Sequence, residues 1–527
     1  MTHAPLHTPP VLPTPARLPR HAALGVALGG GLLLTGLAAT RSFYTFGVES
    51  DYLGRFVPDA QLVLEGFVPE GSVHPPLYAT LLAGVTCVLG DWLRAGLTVS
   101  VAFSVLTLVC ATRVFARLAG PAAQWGALVG LLTSGCFVVA ATQAASDAMF
   151  AGLFWATLWC TVEAGERQLR GGWLAAGVLA GLGVLTRGNG VTLLAVAAAP
   201  WVWTRAPGVA LPAMTAVLAG LALPLGLWAG IALVADVEIL PSGNVANVAM
   251  TFFPAPGTRP FSTEAYLAAE ARFASLLQVL THDPATLGVR YVRGLLRALG
   301  SSLSSGVLLC SPLAYLAWPG LLLLPATTRG PGRVLLGILL GLQLLCVGLV
   351  AYDPRFHLFL VPVLGAAAGA FLAFLHRHAG SHPAARRGAA VGAAIGAALL
   401  LLGATQTLRQ ATRELHAQDV ELGQVTADAA VGPHMGGRMV ARKPHVPFLT
   451  GSTWILLPQV TSASELRTAL QAEASAEPGP LWLYFGSVEA TFRPELAPAL
   501  LAGPEPDWLE PLARGDGEPP WRLYRVR

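Results

Sequence analysis

Charged side chains are scarce in this chain. Asp, Glu, Lys and Arg make up 12% of its 527 residues, against roughly 25% in a typical soluble domain. Hydrophobic residues make up 54%, and they occur in runs of about 15 to 25 residues, the length that a membrane-spanning helix needs. The composition therefore excludes an ordinary soluble domain and predicts a polytopic α-helical membrane protein.

Positive charge is sparse and is carried almost entirely by arginine. The formal net charge is +4, Lys443 is the only lysine, and no basic block is longer than the pair Arg386-Arg387. A nucleic-acid-binding surface needs a denser basic patch than this. We therefore predict no nucleic-acid partner.

The cysteines are not spaced as in disulfide-bonded or metal-binding proteins. All six cysteines lie in apolar segments and none forms a CxxC pair: Cys87, Cys110, Cys136, Cys160, Cys310 and Cys346. This excludes a disulfide framework and a thiolate metal site, and predicts small buried hydrophobic residues. The chain likewise contains no GxGxxG, P-loop, HExxH or zinc-type spacing.

The apolar segments predict about eleven transmembrane helices. The first runs from about Ala22 to Thr40, after a Pro-, Thr- and His-rich segment at 1–20 that predicts disorder. Because this run is longer than the apolar part of a signal peptide, we interpret it as an uncleaved helix. The others lie at 95–116, 121–141, 148–163, 172–186, 190–204, 208–234, 301–325, 334–350, 358–376 and 388–406.

Arginine recurs in every second connection between these segments. Such connections lie on the cytoplasmic side, together with the N-terminus, in a multi-pass protein of the plasma (inner) membrane. The connections that then face outward are 42–94, 142–147, 187–189, 235–300, 351–357 and the region from about Leu408. This assignment requires that Pro76 to Gly90, an apolar stretch too short for a usual span, be an in-plane or re-entrant helix in the first outer loop.

Three regions follow from this pattern. Residues 21–407 form a transmembrane domain, made of a module at 21–235, a large outer loop at 236–300 and further spans. Around Ser262 to Leu280 the loop predicts an amphipathic helix at the membrane surface. Residues 408–527 predict a small extracytoplasmic α/β domain with some parallel pairing. Its strands are expected at 438–449, 481–485 and 521–526, with a helix at 464–474.

Short motifs occur in a fixed order along the chain. They are Glu49-Ser50-Asp51-Tyr52, Asp59-Ala60, Glu65-Gly66, His74-Pro75-Pro76-Leu77-Tyr78, Ser146-Asp147, Leu185-Thr186-Arg187-Gly188, Asp353-Pro354-Arg355-Phe356 and Ala441-Arg442-Lys443-Pro444. The set resembles the GT-C superfamily of integral-membrane glycosyltransferases, and within it the branch of protein O-mannosyltransferases and lipid A aminoarabinose transferases.

The resemblance implies a function and two catalytic acids. Such enzymes transfer a sugar from a polyprenyl-phosphate lipid to an acceptor on the outer face of the membrane. The acid of the first outer loop is catalytic and is here Asp51; the supporting acid of the next outer loop is Asp147. The chain departs from the aminoarabinose transferases at His74, where they have lysine before the two prolines. The sugar and the acceptor (a glycan, a lipid or a protein) therefore stay open.

The residue types suit this chemistry. A carboxylate such as Asp51 can take the proton of an acceptor hydroxyl as a general base, and a single displacement inverts the sugar carbon. The phosphate leaving group needs its charge neutralised, to which arginine is suited. We select His74, Arg187, Asp353 and Arg355 as the substrate- or phosphate-binding residues. Asp51, His74 and Asp147 could also hold a divalent metal, but spacing does not decide this, and no other cofactor is predicted.

Each candidate also has a structural interpretation. Asp51 is then a solvated acid, His74 a loop residue whose neighbours the prolines fix, Ser146-Asp147 a helix N-cap, Arg187 an interfacial side chain, and Asp353 with Arg355 a local turn pair. Two other classes compete with the enzyme. The first is a transporter or flippase for a lipid or solute, which usually shows repeated halves and ionisable groups near the midplane. The second is a membrane-anchored receptor or assembly subunit.

Overall fold

The computed structural model describes residues 20–41, 48–69, 74–204, 206–239, 244–255, 263–304, 308–328, 330–350, 353–379, 401–407, 409, 435–515 and 520–527. The predicted disordered segment, apart from Arg20, and most of the predicted span at 388–406 lie outside the described residues.

Helices dominate the chain up to residue 379. They are α1 (Arg20–Ala39), α2 (Val57–Leu64), α3 (Leu77–Leu89), α4 (Trp92–Leu118), α5 (Pro121–Leu132), α6 (Gly135–Ala141), α7 (Ser146–Arg167), α8 (Arg170–Val184), α9 (Ala199–Trp203), α10 (Pro207–Ala235), α11 (Asn244–Phe252), α12 (Thr263–Arg272), α13 (Leu276–His282), α14 (Pro284–Ser304), α15 (Ser311–Thr327), α16 (Gly332–Val347) and α17 (Val361–Ala379). A π-helical turn at Tyr52–Phe56 and 3₁₀ segments at Gly188–Ala198 and Pro354–Leu360 lie between them.

Several of these helices are long and apolar enough to cross a membrane. Among the described residues there are four: Ala22–Ala39, Trp92–Leu118, Pro207–Ala235 and Pro354–Arg377. The pair α5 and α6 would make a fifth if it counts as one bent span. The predicted multi-pass helical class is thus confirmed, while the length and composition of the described helices do not confirm the predicted count of about eleven.

Two predicted spans are not continuous α-helices. The span predicted at 121–141 bends by 64° between α5 and α6, because the Ser134 side chain accepts a hydrogen bond from the Phe137 N–H at 3.1 Å and starts a new helix. The span predicted at 190–204 is mainly the 3₁₀ segment Gly188–Ala198. The backbone of this segment lies close to that of α8, since a Cβ on Gly190 would lie 2.2 Å from the Gly183 carbonyl oxygen.

Small residues allow the helices to pack closely. A Cβ on Gly177 of α8 would lie 2.1 Å from the Val217 carbonyl oxygen of α10. A Cβ on Gly126 of α5 would likewise lie 2.3 Å from the Gly365 carbonyl oxygen of α17. Close backbone approach through small residues is the usual way that helices associate in a membrane, where burial of apolar surface gives no driving force between them.

The helices α4 and α7 run parallel, which gives the bundle two chemically different ends. At their C-terminal ends, Arg117 Nη2 lies 3.1 Å from Glu163 Oε1, and Arg117 Nη1 lies 3.4 Å from Glu166 Oε2. Asp147 lies at the opposite end, in the first turn of α7. The arginine-rich connections after α4 and α7 therefore share one end of the bundle and Asp147 lies at the other.

The C-terminal part is a small α/β unit. Its strands are β1 (Arg438–Ala441), β2 (Thr453–Leu456), β3 (Leu481–Phe485), β4 (Leu509–Gly515) and β5 (Trp521–Val526), with helices α18 (His445–Leu449), α19 (Ala463–Ala476) and α20 (Ser487–Phe492). The sheet order is β2-β1-β3-β5-β4. The pairs β1–β2 and β1–β3 are parallel, whereas β3–β5 and β4–β5 are antiparallel.

The structure corrects three local predictions. The strand predicted at 438–449 ends at Ala441, because Pro444 begins the short helix α18. The amphipathic helix predicted around Ser262 to Leu280 is two helices, since Ser275 caps a new one at Leu276. The cysteines were predicted to be small buried residues, but only Cys110 and Cys310 are fully buried and Cys87 is exposed.

Candidate active site

Asp51 follows α1 in the chain and is the N-terminal cap of the π-helical turn Tyr52–Phe56. Tyr52 and Phe56 are buried, and the Tyr52 hydroxyl donates a hydrogen bond to the Trp92 carbonyl oxygen at 2.5 Å. Because these rings anchor the turn, the Asp51 side chain is directed away from the core and is 47% exposed. A firmly held, accessible carboxylate results.

His74 is brought to Asp51 by the start of α3. Pro76 is the N-terminal cap of this helix, and the Leu77 N–H donates to the Leu185 carbonyl oxygen at 2.9 Å. The imidazole stacks on Phe56 with ring centroids 4.6 Å apart. His74 Nε2 lies 3.9 Å from Asp51 Oδ2, a distance that permits charge interaction but exceeds a hydrogen bond. Burial lowers the pKa of His74 to about 4 despite the nearby Asp51 carboxylate, so the ring is neutral near pH 7.

Asp147 is a buried partner of Arg187. Ala145, not Ser146, is the N-cap of α7, and no side chain caps this helix. The interpretation of Ser146-Asp147 as a side-chain N-cap is therefore wrong. Ser146 Oγ instead accepts a hydrogen bond from Arg187 Nη1 at 3.2 Å, and the same Nη1 forms an ion pair with Asp147 Oδ1. Asp147 also gains from its place in the first helical turn, where the helix dipole favours a negative charge.

Asp353 and Arg355 form a second charged group. Asp353 Oδ1 accepts a hydrogen bond from the Arg355 backbone N–H at 3.0 Å, and Arg355 Nε lies 3.0 Å from Asp353 Oδ2. The local turn pair expected from the sequence is therefore present. In addition, Arg355 Nη1 forms an ion pair with Glu49, whose side chain is 11% exposed. Burial raises the pKa of Asp353.

The ring of Phe356 joins the two groups. The guanidinium carbons of Arg187 and Arg355 each lie 5.2 Å from its centroid, within the range of a cation–π contact. Asp147 interacts electrostatically with Arg187, Asp353 and Asp51. The structure thus brings all six sequence-predicted residues into one cluster: Asp51, His74, Asp147, Arg187, Asp353 and Arg355.

Two further residues belong to the cluster but are not among the predicted site residues. Glu49, which begins the same motif as Asp51, is the ion-pair partner of Arg355. Lys443 comes from the C-terminal unit, and its Nζ donates to Ser50 Oγ at 2.9 Å. Its electrostatic neighbours include Asp51 and Arg355, and burial lowers its pKa. Its position as the only lysine, within the motif at 441–444, was the available signal.

The cluster offers few ligands to a metal ion. Asp51 and His74 are two donors of the right kind. Within the described part of the chain, no group of three or more His, Cys, Asp or Glu side chains is arranged to hold a metal.

Comparison with known proteins shows which class of membrane protein the chain resembles. Residues 73–228 match the family described as dolichyl-phosphate-mannose-protein mannosyltransferase. The match includes His74, Asp147 and Arg187 and leaves out Asp51, Asp353 and Arg355. The predicted resemblance to the GT-C superfamily is confirmed over these residues, and the predicted enzyme class, a glycosyltransferase, is that of the matched family.

Solved structures share the fold over nearly the whole chain. ArnT from Cupriavidus metallidurans, in the apo state, is 14% identical with a TM-score of 0.52, covering 96% of this chain and 97% of that one. The same protein bound to undecaprenyl phosphate matches with the same values. Arabinosyltransferase EmbB from Mycobacterium smegmatis is 15% identical with a TM-score of 0.38, covering 97% of this chain and 47% of that one, a similarity too low to show a shared fold. No curated protein matches the sequence.

Proposed function

We propose that the chain transfers a sugar from a polyprenyl-phosphate-linked donor to an acceptor hydroxyl on the outer face of the membrane, with inversion at the sugar carbon. The observation that carries this proposal is that an exposed carboxylate, Asp51, lies in one cluster with two guanidiniums, those of Arg187 and Arg355. The family description names a dolichyl-phosphate-linked mannose donor, and ArnT, which has a similar fold, binds undecaprenyl phosphate.

Asp51 is the general base of this reaction. It is the most accessible carboxylate of the cluster, 47% exposed against 41% for Asp353, 11% for Glu49 and 5% for Asp147. Unlike these three acids, it forms no ion pair with an arginine among the described residues. The acceptor oxygen bonds to the sugar carbon as its proton passes to Asp51, and the bond from that carbon to the phosphate oxygen breaks. The departing polyprenyl phosphate keeps the electron pair, so no general acid is needed.

Arg187 and Arg355 bind the donor phosphate. Their ion pairs use Nη1 of Arg187, and Nη1 and Nε of Arg355. The Nη2 groups have no hydrogen-bonding partner among the described residues and remain for a ligand. A phosphate held by two guanidiniums gains strong charge-assisted hydrogen bonds, and the negative charge that develops on the leaving oxygen is stabilised in place. His74 is a neutral hydrogen-bonding group beside this phosphate.

Asp147, Asp353 and Glu49 are positioning residues because each acts through an arginine. Ion pairs fix the direction of a long side chain. For the largely buried Asp147 and Glu49, loss of the pair also leaves a charge that is poorly solvated. The two acids that the resemblance implies therefore have different roles: Asp51 faces the reactants, and Asp147 orients Arg187.

The proposal includes a topology. The N-terminus and the connections around Arg113 and Arg167 lie in the cytoplasm, and the cluster with the C-terminal unit lies outside, in the inner membrane of a bacterium. About eleven spans cross the membrane within a domain at 21–407, and α3 lies in-plane in the first outer loop. Residues 408–527 form the outer domain. The bundle ends support this arrangement, because Asp147 and the Arg117 ion pairs lie at opposite ends of α7.

Donor-lipid binding tests the proposal without knowledge of the sugar. The full chain in detergent is titrated with undecaprenyl phosphate and, separately, with undecaprenol, and lipid retention is followed by native mass spectrometry. We expect retention of the phosphate lipid only, and loss of at least about tenfold in affinity for Arg355→Gln, since one charged hydrogen-bonding group is removed. Arg467→Gln, an exposed arginine of the C-terminal unit, is the matched control. Equal retention by Arg355→Gln and the control would refute the phosphate site.

A further inference from the structure

The exposed face of α14 is divided into an apolar and a basic strip. Val289, Val292 and Leu296 are 60%, 54% and 64% exposed, and they recur at intervals of three and four residues, which places them on one side of the helix. Arg290, Arg293 and Arg297 are also exposed and form a parallel strip beside them. The helix contains no acidic residue between Pro284 and Ser304.

Contacts hold α14 in place with this face outward. The Tyr291 hydroxyl donates to the Leu345 carbonyl oxygen of α16 at 2.7 Å. Arg290 Nη1 donates to the Phe252 carbonyl oxygen of α11 at 2.5 Å. Ala298 is buried on the inner side. The exposed strips are therefore a fixed surface of the protein.

The neighbouring helix α15 is apolar and presents large exposed side chains. Leu322 is 83% exposed and Tyr315 is 73% exposed, as expected for side chains that face lipid tails. The helix α14 precedes α15 in the chain and α13 precedes α14, both outside the long apolar helices. A helix in this position, with arginines on one strip and aliphatic side chains on the next, fits the boundary between headgroups and acyl chains.

We propose that this face of α14 binds anionic membrane phospholipid, with its apolar strip among the acyl chains and Arg293 and Arg297 on headgroup phosphates. The charge pattern selects this occupant. A second copy of the chain would bring two basic strips together, and like charges at such a contact repel. A free phosphate ion would leave the apolar strip in water. The proposal does not depend on the proposed catalytic activity.

Lipid retention by the full chain tests this surface. The purified protein is titrated with phosphatidylglycerol or phosphatidylcholine of the same acyl chains, and bound lipid is counted by native mass spectrometry. We expect the wild type to retain phosphatidylglycerol at least about threefold better than phosphatidylcholine, since anionic headgroups attract juxtamembrane arginines. The double variant Arg293→Gln/Arg297→Gln should lose this preference, whereas Arg467→Gln should keep it.

Further variants separate the two strips and guard against misfolding. The single variants Arg293→Gln and Arg297→Gln should each lose part of the preference, so the test survives if the double variant aggregates. Leu296→Ser should weaken retention of both lipids. Equal retention of the two lipids by the wild type, or unchanged preference in all arginine variants, would overturn the proposal. Displacement of phosphatidylglycerol by millimolar inorganic phosphate would likewise show a simple anion site and overturn it.

Discussion

Two aspartates of the cluster have opposite environments. Asp51 is half exposed, and its side chain makes no capping hydrogen bond to the turn that follows it. Asp147, in contrast, is buried against Arg187. A group that exchanges protons with a substrate needs access to it, and a buried carboxylate with a fixed arginine serves mainly to orient that arginine. The environments support a division of roles that the spacing of the two acids in the sequence does not reveal.

This division predicts different binding effects for two matched variants. Asp147→Asn removes the charge that orients Arg187, so affinity for undecaprenyl phosphate should fall about tenfold, the effect of about 1.4 kcal/mol. Asp51→Asn should leave that affinity within about twofold of wild type. Titration followed by native mass spectrometry gives both values. A larger loss for Asp51→Asn than for Asp147→Asn would contradict the assignment.

A pH dependence of stability follows from His74. Its pKa in the folded protein, about 4, lies below the usual 6.5 because of burial. The unfolded chain therefore binds the proton more readily, and the folded protein loses stability as pH falls from about 6.5 toward 4. Above pH 7 the ring is neutral in both states and adds no pH dependence.

The measurement is the unfolding temperature in detergent, for wild type and His74→Gln, from pH 8 to pH 5. The unfolding temperature of the wild type should fall further than that of the variant as pH drops below 6.5, because only the wild type carries this titrating ring. Parallel curves for the two proteins across the whole range would mean that His74 is not held in its neutral form.

At the scale of elements, composition and periodicity predicted the right kind of structure but not its breaks. The helices near 95–116, 148–163, 172–186 and 208–234 appear as α4, α7, α8 and α10. The bend at Ser134 and the 3₁₀ segment after Arg187 were not predicted, because a hydrophobic run looks the same whether its backbone is continuous or not. The strands at Thr453–Leu456 and Leu509–Gly515 were missed. The first is only four residues long, and the second carries Pro511 and a bulge.

The contact between the C-terminal unit and the first loop depends on Gly54. A Cβ at this position would lie 3.0 Å from Trp454 Cζ3 and 3.2 Å from Pro444 Cγ, so a larger side chain must push the unit away. We expect Gly54→Val to speed hydrogen exchange at residues 438–456 and to lower transfer activity, since Lys443 then leaves Ser50. Gly84→Ala, which meets no atom within 4 Å, is the control. Unchanged exchange in Gly54→Val would show that the contact is not tight.

At the scale of the whole molecule, the cluster is assembled from segments far apart in the chain. The ordered motifs were enough to select its six residues, but not to pair them. That Glu49 meets Arg355, that Arg187 meets Asp147, and that Lys443 reaches Ser50 depends on how helices pack. Packing of this kind rests on glycine contacts such as those of Gly126 and Gly177, whose partners a single sequence does not specify.

The position of the amphipathic helix α14 was likewise not predicted from the sequence. The sequence analysis placed an amphipathic helix in the outer loop, but earlier, around Ser262 to Leu280. Residues 284–304 also have helical periodicity, but the last of them fall within the apolar run at 301–325 that predicts a span. The correct assignment changes the surface that the protein presents to lipid.

The most direct test of the central claim is the chemistry lost when Asp51 is changed. A deletion strain is complemented with wild type or Asp51→Asn, the two proteins are matched in abundance, and envelope glycolipids, polysaccharide and glycoproteins are analysed by mass spectrometry. We predict that a sugar lost on deletion returns with the wild type and not with Asp51→Asn. Equal restoration by both proteins would contradict catalysis at Asp51 and favour a transporter or flippase instead.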